Sequence, residues 1–134
     1  MSAALLALAL AVQPSAGLEQ RRATILQFEI RLAAGLSPSE QAAATEVFAA
    51  DTRTIRRCAD AGVIAARYRA ERRFSGSIVQ RRDAPFARIP VELRRALDKV
   101  PTGHATQVFG SADVRRVLIA CTVPSVPAAN RGTA

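Results

Sequence analysis

Between Thr24 and Leu32 apolar and polar residues alternate. Leu26, Phe28, Ile30 and Leu32 fall on one side of an extended chain and Gln27, Glu29 and Arg31 on the other. A period of two predicts a half-buried strand. Gly35 and Leu36 end it, and Ser37-Pro38-Ser39-Glu40 has the form of a helix start, with Ser37 as N-cap, Pro38 at the first helical position and Glu40 completing a capping box. The helix is expected to run to about Arg57, with Ala44, Val47, Phe48 and Ile55 on the face turned to the sheet.

A second helical stretch is expected near Ala59 to Tyr68, interrupted in its pattern by Gly62. Ser75 to Arg82, centred on Ile78-Val79, reads as a second strand at a sheet edge, where its charged residues deter further pairing. Asp83-Ala84-Pro85 reads as a turn. After Pro90, Leu93, Ala96, Leu97 and Val100 share one helical face, and Pro101-Thr102-Gly103 stops that helix. Two closing strands follow, His104 to Phe109 and Val114 to Val123, joined by a hairpin at Gly110-Ser111-Ala112-Asp113, and residues 124–134 read as a loose tail. The order strand, helix, helix, strand, helix, strand, strand predicts an α+β domain with helices covering an antiparallel sheet.

A length of 134 residues fits one domain with one modest core. With five Phe, one Tyr and no Trp, that core has to be built mainly from Ala, Val, Leu and Ile. The net charge is +8, and all basic residues except Lys99 are Arg. The six Arg-Arg pairs are spread along the chain with no run of interleaved aromatics, which argues for a solvated basic shell over a specific nucleic-acid surface. A basic nucleic-acid or polyanion-binding module is the alternative that this charge keeps open.

Cys58 and Cys121 are too few and too isolated for a structural zinc site, so no metal is indicated. In an oxidising compartment they can pair and tie a helix end to the last strand; in a reducing one they are small buried side chains. Residues 3–12 form an unbroken apolar stretch followed by Gln13, Pro14 and small residues, so residues 1–17 resemble the core and cleavage region of a secretory signal, although no Lys or Arg precedes them. The stretch falls short of the roughly 20 residues that a membrane-spanning helix needs, and stable membrane insertion is not expected. An apolar helix left from a preceding domain of a longer chaperone is the competing reading.

The segment Ile89-Pro90-Val91-Glu92-Leu93, Ala96-Leu97, Gly103, Val108-Phe109 and Val117-Leu118-Ile119-Ala120-Cys121 resembles the end of a parvulin-type peptidyl-prolyl isomerase domain. The opening QFEIRLAAGLSPSEQ is similar to the start of such domains in SurA-type periplasmic chaperones. The resemblance covers residues 24–123, with a poor match from about 59 to 88. It implies a parvulin-like (FKBP-like) four-stranded antiparallel sheet covered by helices, and a shallow groove for a proline-containing segment.

In active members of the family that groove is lined by an apolar pair four residues apart and by two histidines on neighbouring strands. The apolar pair maps onto Ile89 and Leu93. The histidine of the last strand falls at Arg116 and that of the first strand near Gln27, so both histidines are absent. His104, the single histidine, matches neither position. The implied substrate-binding residues are therefore Ile89, Leu93, Arg116 and Gln27, no catalytic residue is identified, and no cofactor is named. The resemblance implies binding of unfolded or proline-containing polypeptide in the cell envelope, with weak or absent isomerase turnover; a periplasmic or secreted location is expected if residues 1–17 are an export signal, and a monomer is expected.

Overall fold

The strand predicted by the alternation lies at the centre of the sheet. The computed structural model describes residues 20–126. Their elements are β1 (Arg22–Leu32), α1 (Pro38–Thr52), α2 (Cys58–Arg67) with a 3-10 turn at Tyr68–Ala70, β2 (Phe74–Pro85), a second 3-10 turn at Phe86–Arg88, α3 (Val91–Asp98), β3 (Phe109–Ser111) and β4 (Val114–Ala120). The four strands form one sheet in the order β2-β1-β4-β3, antiparallel at every step. The described residues are thus α+β, with α1, α2 and α3 as their full α-helices and β2 at a sheet edge.

Side chains of β1 serve two cores, one on each face of the sheet. Leu26, Phe28, Ile30 and Leu32 meet Val117 and Ile119 of β4 under α1 and α2, where Ala44, Phe48, Ala61 and Ile64 are buried. Phe28 is fully buried, with its ring 5.2 Å from Phe48 and 6.0 Å from Tyr68. On the opposite face Ala23 and Ile25 pack with Leu118, Ala120, Phe86 and Leu97 of α3. This second core covers only one end of its face.

The start of α1 follows the capping rule. The Glu40 amide donates to Ser37 Oγ at 3.2 Å and the Ser37 amide donates to Glu40 Oε1 at 3.0 Å. Its end differs from expectation: the helix stops at Thr52, and Ile55 is buried from the following turn instead of from the helix. The Thr54 hydroxyl donates to the Asp51 carbonyl at 2.6 Å, and Asp60 Oδ2 accepts the amides of Arg56 and Arg57 at 3.0 and 3.2 Å. Polar side chains close to the backbone compete with helical bonds in this way, and here they end one helix and start the next.

The strands and their connections differ from expectation in four further places. Asp83-Ala84-Pro85 is not a turn but part of β2, which bulges so that Ala23 opposes Ala84 while Ile25 opposes Arg81. Asp83 takes a positive φ of 51° there, the signature of an extra residue accommodated in one strand. β3 is confined to Phe109–Ser111 and does not start at His104. The Leu118 amide donates to the Thr106 hydroxyl at 3.1 Å, so a side chain occupies the ladder position and only Ala105↔Ile119 bridges there. The hairpin narrows to Ala112-Asp113, with Ala112 at φ 52°. Beyond Ala120 the ladder of β4 ends, short of the expected Val123, yet Ser125 still exchanges two backbone bonds with Arg22 at 2.8 and 2.9 Å, so the start of the expected tail is paired. The proposed signal segment at 1–17 and the rest of the tail lie outside the described residues.

Cys58 and Cys121 form a disulfide, joining the first residue of α2 to the residue after β4. Gly103 sits beside it at φ 90°, its amide donating to the Ala120 carbonyl at 2.8 Å. A methyl group at this position would run into the Arg56 carbonyl, so the absence of a side chain lets the segment after α3 close onto the α1–α2 loop.

Before β2, Arg73 Nε donates to Glu71 Oε1 at 2.9 Å and the amides of Arg72 and Arg73 donate to the same oxygen at 3.1 Å. The Arg73 side-chain bonds, followed by its amide, hold the Glu71 carboxyl down to about 2 from its ordinary 4.5. A carboxyl lowered in the fold stabilises it above the unfolded value and loses that contribution as pH falls toward the folded value. Denaturation midpoints of the wild type are therefore expected to fall between near-neutral pH and the acid side of 4.5 by more than those of Glu71→Gln. Equal falls in the two proteins would remove this role for Glu71.

Candidate functional site

The part of the second face left open by α3 forms a cleft of about 560 Å³. Ile25 and Gln27 of β1 and Arg116 and Leu118 of β4 form its floor. One wall is the bulged end of β2, Arg81 to Pro85, and the other is Arg88, Ile89, Pro90 and Leu93.

The second wall is set by a turn and a proline. Phe86 is buried beneath the 3-10 turn with the Arg21 guanidinium 4.9 Å above its ring. Ile89 donates its amide to the Phe86 carbonyl at 3.1 Å and then adopts an extended conformation (φ −77°, ψ 132°), as a residue before proline prefers. Pro90 starts α3, and Leu93 lies on its first turn, so two apolar side chains reach the cleft from a short rigid segment.

Gln27, Ile89, Leu93 and Arg116, all implied by the sequence resemblance, line this one cleft. Gln27 and Arg116 are not independent of each other. Gln27 Nε2 donates to Glu29 Oε2 at 3.2 Å, and Arg116 Nη2 stands 3.9 Å from the same oxygen. Glu29 and Arg116 are direct cross-strand partners, which brings opposite charges together on one face. Glu29 escapes notice in the sequence, although the alternation that places Gln27 on the outer face places it there as well.

Ile25, Leu118, Arg81, Arg82 and Arg88 also line the cleft without standing out in the sequence. Ile25 falls on the polar side of the alternating stretch from Thr24 to Leu32, and the arrangement of the arginines depends on the β2 bulge. His104 is absent from the lining; its amide donates to the Pro101 carbonyl at 3.0 Å in the turn after α3. The lining thus combines an apolar cup, formed by Ile25, Ile89, Leu93 and Leu118, with permanently charged guanidinium groups. Such a site can desolvate an apolar ring and donate hydrogen bonds to carbonyl or carboxylate oxygens.

No helix among the described residues is long and apolar enough to cross a membrane. Compared with protein-family models, with curated proteins and with solved structures, the chain matches none.

Proposed function

We propose that this chain is a parvulin-like domain that binds proline-containing or unfolded polypeptide in the cell envelope, with weak or absent isomerase turnover. The observation that carries the reading is the convergence of Ile89, Leu93, Gln27 and Arg116, drawn from three elements, on a single cleft with an apolar cup. The strand order β2-β1-β4-β3 with helices on both faces also fits the architecture that the sequence resemblance implies. The disulfide suits a protein that matures in an oxidising compartment.

Rotation about a prolyl bond faces a barrier of roughly 18–20 kcal/mol. Lowering it requires that the twisted amide be bound better than the planar one. The cup can take up the proline ring and strip water from its nitrogen. Arg116, leaning toward Glu29, can donate to a peptide carbonyl, but a carbonyl oxygen is present in the planar and the twisted amide alike. Donation of this kind favours binding over turnover.

The test combines binding of labelled proline peptides, an isomerisation assay beside an active parvulin, and suppression of aggregation of an unfolded client. Binding is expected, with turnover far below that of the active enzyme. Leu93→Ala, which trims the cup, is expected to weaken peptide binding about fivefold, corresponding to about 1 kcal/mol of apolar contact. Turnover equal to the active parvulin would refute the low-activity part, and failure to bind both peptides and client would refute the whole proposal.

A further inference from the structure

Four arginines stand around the cleft: Arg81 and Arg82 on β2, Arg88 at the end of the 3-10 turn and Arg116 on β4. Asp83 is the single carboxylate in the lining, and Arg22 already pairs with it at 3.6 Å. Glu29 lies at the foot of the cleft, 3.9 Å from Arg116 and hydrogen-bonded to Gln27. Among the described residues no acidic side chain pairs with Arg81, Arg82 or Arg88, and all three are exposed.

Like charges gathered on the rim of a partly apolar concavity raise the local potential and attract an opposite charge. Guanidinium groups suit carboxylates in particular, since each offers a fork of donors matched to two oxygens. The floor between them is apolar, with Ile25, Ile89, Leu93 and Leu118, and no aromatic side chain lines the cleft. Single-stranded nucleic acid sites rely on aromatic platforms for the bases, so an apolar cup with a basic rim fits a polypeptide better.

We propose, resting on the reading of the cup as a proline site, that the cleft selects extended polypeptide in which Asp or Glu residues flank the proline. The ring occupies the apolar floor while neighbouring carboxylates meet Arg81 and Arg82 on one wall and Arg88 on the other. Arg116 stays with Glu29 and contributes less to this selection.

The experiment uses the full chain and short fluorescent peptides that differ in one feature at a time: proline flanked by Glu, the same peptide with Gln, the same with Lys, and the Glu peptide with Ala in place of proline. The Glu peptide is expected to bind about tenfold tighter than the Gln peptide at low salt, the sum of three modest exposed pairs. The Lys peptide is expected to bind weakest. The advantage of Glu shrinks as salt rises beyond about 0.15 M, where screening acts within about 8 Å.

Because Arg81, Arg82 and Arg88 are exposed, R81Q/R82Q/R88Q is expected to retain the melting temperature and to abolish the difference in affinity between the Glu and Gln peptides. R88Q alone is expected to lose part of the preference and serves if the triple variant does not fold. Equal affinity of the unaltered chain for Glu and Gln peptides would overturn the acidic preference while leaving the cup intact. Equal affinity for the Glu peptides with and without proline would instead overturn the reading of the cup as a proline site. A single-stranded oligonucleotide that binds tighter than the Glu peptide, and that the triple variant no longer binds, would also overturn the proposal.

Discussion

Replacing Cys58 and Cys121 together by Ser, or reducing the folded protein, is expected to lower its stability by about 4 kcal/mol. The bridge joins residues 63 positions apart, and holding the ends of a loop of that length together removes a large share of the disorder of the unfolded chain. For a domain of this size the melting temperature is expected to drop by about 15 °C or more. The effect is reinforced by location. The bridge fixes the start of α2 to the end of β4, and Gly103 closes onto the same loop from the other side. Thermal melts with and without reductant, read beside the double Ser variant, provide the check. Melting points within a few degrees of one another would show that the loop is already fixed by its noncovalent contacts.

The second large effect is expected at Phe28. Its ring is fully buried and packs edge-on against Phe48 and beside Tyr68, whose hydroxyl donates to Asp51 at 2.6 Å. Phe28→Ala would leave a cavity under both α1 and α2 and is expected to cost about 4 kcal/mol, whereas Phe28→Leu, which keeps most of the volume, is expected to cost under about 2 kcal/mol. Chemical denaturation of the two variants measures the difference. A similar loss for both would mean that the site rearranges around the missing ring. Since Phe28 points away from the cleft, peptide affinity of the folded Leu variant is expected to stay unchanged, which separates the stabilising core from the binding face.

The parts of the fold legible in the sequence are those governed by neighbours along the chain. Alternation from Leu26 to Leu32 marks β1, Ser37 to Glu40 marks the start of α1, and Pro90 with Leu93, Ala96 and Leu97 marks α3. What escaped depends on partners distant in the chain or on side chains that take over backbone bonds. Nothing local forbids a helix through Arg53–Arg57; it ends because Thr54 and Asp60 capture nearby backbone groups. β3 is short because the Thr106 hydroxyl meets the Leu118 amide from twelve residues away.

The candidate site divides along the same line. Ile89, Leu93, Gln27 and Arg116 stand out through the family resemblance, which preserves spacing. The basic rim does not, because Arg81, Arg82 and Arg88 come together only after β2 bulges at Asp83 and the chain folds over Phe86. Adjacent arginines in a sequence say little about direction. In β4, Arg115 donates to Thr45 of α1 at 3.1 Å on one face, while Arg116 leans toward Glu29 on the other.

The central place of β1 also bears on how the chain acquires its fold during synthesis. β1 is flanked by β2, some fifty residues later, and by β4, the last of the sheet's four strands in chain order. Pairings so distant in sequence close slowly. Until Val114–Ala120 has emerged, one edge of β1 has no neighbour, and Phe28 and Ile30 lack Val117 and Ile119 beside them. A nascent chain lacking β4 therefore has an open strand edge and uncovered apolar side chains, the kind of species that aggregates readily, and slower arrival of β4 is expected to lower the yield of folded protein.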